Sequence, residues 1–346
     1  MSVLATALEG DPAEAEELYR QVLKGREEIL GRQHPKTLNT MISLAYSLGG
    51  QQKYGEAEAV SQNALSACEK VLGKEHTETL RALDSLALML ASQGKDEEAE
   101  KLYRKALGGR ERVLGRESPM TLKTMDRLAF VLEKRQKYQE VEDLLRITLE
   151  VRDRVLGREH PSTLFTMHNL ALAMSMQHKF QAAEDLGRIT LGGRNRVLGE
   201  ENPITLFTMH SLADVLAKQQ KYQEAEELWR ATLQGCDRVL GREHPNTLST
   251  MHKLANVLTN QQKYQEAEDL WRATLECSNR VLGSGHARTL ATCGALVCLM
   301  RIQGKDKEAD ALLLQQDTTA DEVAKYHECM HCEGPDQISN DSETES

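Results

Sequence analysis

This sequence predicts an all-α fold, a right-handed superhelix of antiparallel helix hairpins, and three observations predict it. The Leu-Gly pair recurs with its glycine at 31, 73, 115, 157, 199, 241 and 283, a spacing of 42 residues held six times without insertion. A period between about 20 and 50 residues marks stacked supersecondary units, none of which buries its apolar face alone. Apolar columns keep the same period: Leu44, Leu86, Leu128, Leu170, Leu212, Leu254 and Leu296 form one, and Ala57, Ala99, Ala183, Ala225, Ala267 and Ala309 another, broken only by Val141. Composition agrees. With 4% aromatic residues, 28% charged and 7 prolines in 346 residues, the chain suits a helical array better than a sheet-based enzyme.

The elements follow in order within one unit, Pro161 to Glu201. Leu164, Met167, Leu170, Ala171 and Met174 fall at helical spacing; after a polar break at Gln177 to Lys179, Ala183, Leu186, Ile189, Thr190 and Val197 do so again. Each unit is therefore two helices, A and B. Pro35, Pro119, Pro161, Pro203 and Pro245 open helix A, where a missing N–H costs nothing, with Ser118 and Asn202 placed as N-caps. The Leu-Gly glycine closes helix B, where a left-handed residue is easiest for glycine. The chain is thus read as a partial repeat over 1–34, seven repeats over 35–314, and an acidic, mostly disordered tail over 315–346. Val3-Leu4-Ala5 reads as the remnant of a truncated first helix A.

Composition also excludes partners. The formal net charge is −10, and from Gln316 to Ser346 nine acids face the single base Lys325, which leaves the rest of the chain close to neutral. No basic run offers a footprint for nucleic acid or an anionic membrane surface, so neither is expected. No apolar run reaches the roughly 18 residues of a membrane span, and Met1 to Leu8 lacks the basic start of a secretory signal. A cytoplasmic protein with seven reduced cysteines is expected.

Helix A carrying Leu-Ala, a turn with Lys221-Tyr222, and Glu224-Ala225-Glu226 opening helix B resemble the tetratricopeptide repeat. The 42-residue form with Arg-Val-Leu-Gly-x-Glu-His-Pro between units, Arg238 to Pro245, resembles the arrays of kinesin light chains, and still more those that end many fungal nucleotide-binding STAND receptors. The resemblance covers about residues 11 to 314. It implies a superhelix that binds a peptide or protein segment and has no catalysis of its own. Kinesin light chains precede their repeats with a heptad coiled coil; this sequence has none, so direct assembly with a kinesin heavy chain is not expected. The receptors carry a nucleotide-binding domain, whereas G-x-x-x-x-G-K-[ST] is missing here. A detached ligand-sensing array of such a receptor is the alternative to an adaptor.

In the geometry this resemblance implies, helix A lines the groove with the face opposite its core stripe. That face holds Phe165, His168, Asn169 and Leu172, then Phe207, His210, Ser211 and Asp214, then Ser249, His252, Lys253 and Asn256. These are the candidate partner-binding residues, with the histidines as an exposed ladder. Two of the four phenylalanines stand in it, and exposed aromatics concentrate at recognition surfaces. The resemblance also places Asn169 on the second Asn of the family's Asn-Asn-Leu-Ala motif, which implies a grip on an extended ligand's backbone.

Other features read as structural. Equivalent A-helix residues lie about 8 to 10 Å apart, too far for three histidines to share one zinc. His34, His76, His160, His244 and His286 precede helix A and read as capping or loop-packing residues; Trp229 and Trp271 read as core. Gly25, Gly109, Gly193 and Gly235 read as points of close helix approach. His327, Cys329, His331 and Cys332 hold half the ligand spacing of a zinc site without a second pair, so no metal and no cofactor is expected. No G-x-S-x-G, H-E-x-x-H or dinucleotide glycine pattern occurs, so no enzyme is expected.

Overall fold

The structure, a computed structural model, describes residues 12–325. Among them are sixteen helices and no strand. The histidine and cysteine cluster at 327–332 and the Val3-Leu4-Ala5 motif lie outside the described residues. The chain divides after His178 into two compact units.

Unit 1 contains α1 (Pro12–Leu30), the hairpins α2 (Pro35–Gly50) with α3 (Tyr54–Val71), α4 (Thr77–Ser92) with α5 (Asp96–Leu114), α6 (Pro119–Lys134) with α7 (Tyr138–Leu156), and then α8 (Pro161–Met176). Unit 2 contains α9 (Phe180–Leu198), the hairpins α10 (Pro203–Lys218) with α11 (Tyr222–Val239), α12 (Pro245–Asn260) with α13 (Tyr264–Leu282), α14 (Ala287–Ile302) with α15 (Asp306–Gln315), and the short α16 (Ala320–Ala324). Within each unit, helices up to α15 pack on their sequence neighbours, which is the solenoid the period predicts. The leucine column from Leu44 to Leu254 is buried, and Ala57, Ala99, Ala225 and Ala267 are fully so. In unit 2, Leu212, Leu216, Trp229, Leu254 and Trp271 belong to one continuous core. The helix B stripe is narrower than its sequence suggests. Ile189 and Val197 are exposed, because the B helix buries one edge on its A helices and turns the other to solvent.

The caps do what their chemistry allows. His34, His76, His160, His244 and His286 each accept, through Nδ1, the backbone N–H two residues on, at 3.1 to 3.2 Å. Asn202 Oδ1 accepts from the Ile204 N–H at 2.9 Å, whereas the Ser118 side chain makes no capping bond. Between A and B the chain turns through a left-handed residue at Gln52, Gln136, Gln220 and Gln262, φ 58 to 62°, and through Gly94 and Gly304 in the same position.

A carboxylate staple ties each repeat to the next. The second Glu of the Glu-Ala-Glu motif is almost buried, yet it accepts from its own helix and from the turn of the following repeat. Glu226 takes Arg230 at 2.9 Å, Gln261 at 2.7 Å and Lys263 at 2.6 Å. Glu100 takes Arg104, Arg135 and Lys137. Burial alone would raise the Glu100 carboxyl; Lys137, Arg104 and Arg135 outweigh it and hold it at about 2, and the same competition lowers Glu184, Glu226 and Glu268. Folded-state values below the unfolded one give stability that is complete above about pH 4.5 and is lost as pH falls toward 2. Thermal unfolding by far-UV circular dichroism should therefore fall steeply as pH drops below about 4.5; a profile that does not fall between pH 4.5 and 2 would refute the staple.

The segment expected to begin a disordered tail at 315 is ordered as far as 325. Thr319 and Glu322 form a reciprocal capping box, and Val323, 4% exposed, joins the unit 2 core. Gln316 accepts from Asn279 at 2.8 Å. The physical reason is an apolar pair, Val323 with Ala320, too sparse to register as periodicity, that packs the short last helix onto α14. Truncation after Gln316 should cost about 1–3 kcal/mol of unit 2 stability in urea unfolding; truncation after Lys325 serves as the matched control.

Candidate functional site on the helix A face

Burial separates the candidate residues into two groups. In unit 1, Phe165 is 47% exposed and Asn169 and Leu172 are half-buried, but His168 is 5% exposed. His168 is therefore not an exposed groove residue. Its column, which runs from Ile42 through Asp84 and Asp126, points into the layer between adjacent A helices, where the polar members knit repeats together.

Asp84 shows what that layer does. It is 2% exposed and accepts from Arg127, from Arg110 at 3.4 Å, from Thr124 Oγ1 at 3.1 Å and from Tyr46 Oη at 3.4 Å. Asp126 repeats the theme with Arg152 at 2.5 Å; burial outweighs that arginine and lifts the Asp126 carboxyl above its usual range.

Unit 2 has its own face. Phe207 is half-exposed on α10, with His210, Ser211 and Asp214 along the same helix and Ser249, His252, Lys253 and Asn256 on α12. The two histidines do not form a ladder with free imidazoles. His210 Nδ1 lies 3.2 Å from Thr250 Oγ1 and its ring is 6.2 Å from Trp229, while the His252 ring meets Trp271 edge-on at 4.5 Å. Burial draws His210 below its ordinary value, Lys253 pushes the same way and Asp214 opposes both, so the ring is neutral at pH 7. Asp214 accepts from Lys253 at 2.7 Å and pairs with Lys218 at 3.3 Å; burial would raise its carboxyl, but these lysines hold it below the usual range. Beside this row a cavity of about 90 Å³ opens, lined by Phe207, His210, Cys236, Asn246, Ser249 and Thr250 among others. Sequence reading did not find it, because its cause is a small residue on helix B rather than any residue of the face itself.

Trp229 and Trp271 are 1% and 2% exposed. A Cβ on Gly109 or Gly235 would stand 2.4 to 2.5 Å from Leu80 or Leu206, so those glycines do permit close approach, whereas Gly25 faces open space. Cys68, Cys236, Cys277 and Cys293 are free thiols; Cys298 is not among them. Among the described residues, no group of three or more His, Cys, Asp or Glu is placed to hold a metal ion, and no helix is long and apolar enough to cross a membrane.

Tandem A–B hairpins, interlocked by turn-to-helix staples and presenting a row of A-helix side chains, define a helical-repeat interaction protein. The tetratricopeptide repeat model matches residues 2–60, 43–112, 120–191 and 204–259, and a second such model matches 247–288. The chain belongs to the tetratricopeptide repeat family. Among solved structures it is similar to a Podosopora anserina protein described as a kinesin light chain of nearly identical TPR-like repeats, at 28% identity over 61% of this chain and 96% of that one, TM-score 0.53. BtubC from P. vanneervenii matches at 16% identity over 72% of this chain and 98% of that one, TM-score 0.57. The quorum sensor NprR from B. thuringiensis matches at 11% over 91% and 95%, TM-score 0.59. The last two are likenesses of fold alone. No curated protein sequence matches the chain.

Proposed function

We propose that the helix A face of each unit, taken by itself, binds an extended or helical segment of a partner protein, making the chain a scaffold and adaptor of the kinesin light chain-like kind. The observation that carries this is the pair Phe165 and Phe207, 47% and 50% exposed at the same position of A helices. The two rings stand half-exposed on helix A, and exposed aromatics beside fixed polar groups compose recognition surfaces. In unit 2 those polar groups are already oriented, Asp214 by its lysines and His210 by Thr250. Preorganised side chains lower the ordering cost of binding. The likeness to the kinesin light chain-type repeats supports the adaptor role, and a structure of the same fold, NprR, holds its cognate peptide NprX.

The test is affinity capture from native lysate with the whole chain and with Phe165→Ala and Phe207→Ala variants. Each variant should retain its melting curve and bind captured partners at least about tenfold more weakly. Motor subunits among the partners lost would support the adaptor role; a partner set unchanged in both variants would overturn the assignment of this face.

A further inference from the structure

Helix B carries an arginine column that breaks in three repeats. Arg26, Arg110, Arg152 and Arg194 occupy the same position of their repeats. Each donates through Nη1 to the same two acceptors, the backbone carbonyl ten residues on and the threonine hydroxyl fourteen on. The carbonyls are Lys36 at 2.9 Å, Met120 at 2.9 Å, Ser162 at 3.3 Å and Ile204 at 3.1 Å. The hydroxyls are Thr40, Thr124, Thr166 and Thr208. Arg194 is 3% exposed, and burial is the sole influence on its basicity, drawing it down to about 10. The carbonyl and threonine pair is thus a guanidinium socket that works without a carboxylate.

At Cys68, Cys236 and Ser278 the arginine is gone; opposite the fully buried Ser278, Thr292 keeps its bond to the Arg288 carbonyl at 2.9 Å, and the two cysteine repeats respond differently. Opposite Cys68 the threonine is also gone: Ala82 stands there, and the fully buried Ile42 takes the position that Asp84 holds in the next repeat. That socket is closed with hydrocarbon. Opposite Cys236 both acceptors remain, in Asn246 and Thr250, and both line the cavity of about 90 Å³. Thr250 Oγ1 donates to the Asn246 carbonyl at 2.9 Å, the same bond that Thr40, Thr166 and Thr208 make beneath their arginines. Phe207 and Asn246, both exposed, place the cavity at the solvent surface of the proposed binding face.

We propose that this cavity is a socket for the guanidinium group of a partner's arginine, held by the Asn246 carbonyl and Thr250 hydroxyl as the chain holds its own arginines in four other repeats. The proposal rests on the reading of the helix A face as a partner-binding surface and names the side chain it takes in unit 2. A guanidinium fits better than an ammonium because it is planar, presents a fork of donors, and stacks on aromatic rings such as Phe207 and the neutral His210. An apolar side chain would use neither the second lone pair of the Asn246 carbonyl nor the charge-assisted bonds that a guanidinium makes.

The experiment is a titration of the whole chain with N-butylguanidinium, followed by the Trp229 indole resonance, whose ring lies 6.2 Å from His210. Butylammonium keeps the charge without the fork, and butylurea keeps the shape without the charge. Saturable binding of butylguanidinium is expected, with the other two at least about tenfold weaker. Cys236→Arg, which supplies the missing side chain from within, should abolish binding while melting stays unchanged or rises; Cys236→Ser should keep binding. Should Cys236→Arg fail to fold, Thr250→Val provides the second arm, expected to weaken binding at least about tenfold by removing one acceptor. No saturable shift, equal binding of the three compounds, or binding undiminished in Cys236→Arg or Thr250→Val would overturn the proposal. Because the titration uses no partner protein, a positive titration beside an unchanged partner set would discard the adaptor reading alone, and the reverse would discard the socket alone.

Discussion

Asp84→Ala should destabilise unit 1 by about 3–5 kcal/mol, because it removes the carboxylate between two guanidinium groups that stay behind. Arg110 is about as buried as Asp84, with side chains 3% exposed in each, and Arg127 is largely covered at 18%. Neither arginine can swing to water without breaking the packing of α5 and α6, so the loss is mostly the cost of uncompensated buried charge. The surface pair Glu97–Lys101, with both side chains more than 60% exposed, provides the contrast: Glu97→Ala should leave the unfolding transition essentially where it is. Repeat arrays couple mainly through nearest neighbours, so the deficit should remain local. Both tryptophans lie in unit 2, and urea unfolding of Asp84→Ala should show an early circular dichroism transition that tryptophan fluorescence does not follow. Coincident, unshifted transitions would refute the assignment of Asp84 as the linchpin of that layer.

Trp229→Ala should cost unit 2 about 3–5 kcal/mol, the usual penalty of excising a buried aromatic ring from a core that cannot collapse around the hole. The side chain is 1% exposed and packs among Leu212, Leu216, Ala225 and Leu254. Trp229→Phe should cost much less, about 1.5 kcal/mol or below, since the buried indole N–H meets no acceptor among the described residues and nothing polar is lost with it. Thermal unfolding of the two variants side by side decides this; equal losses would mean that the indole N–H has a partner after all.

Much of this architecture was legible one repeat at a time. The 42-residue period, the proline and glycine punctuation, and the alanine columns each express a local rule: an N–H that helix A does not need, a left-handed residue that closes helix B, a contact with no spare volume. The histidine caps were legible for the same reason, since an N-cap acts on a backbone N–H two residues away. Positions at the helix A face were harder. Spacing placed Phe165, Phe207 and His168 alike on the side opposite the core stripe, yet the first two are in water and the third is buried. Helical periodicity sorts side chains about one axis and carries no record of how closely the next A helix approaches.

The sequence by itself determined the hairpin, its caps and its repetition, because those depend on interactions within a few residues or on a pattern copied unchanged between repeats. Tertiary structure alone decided what the exceptions mean. Glu226 became a staple only when Lys263 and Gln261 of the following repeat reached it, and Val323 became core only by folding back on α14. Cys236 was one more buried thiol until Asn246 and Thr250 were seen to keep the acceptors of an arginine that is not there. Burial and hydrogen-bond completion are properties of several repeats at once, so a residue's role is fixed by partners tens of positions away.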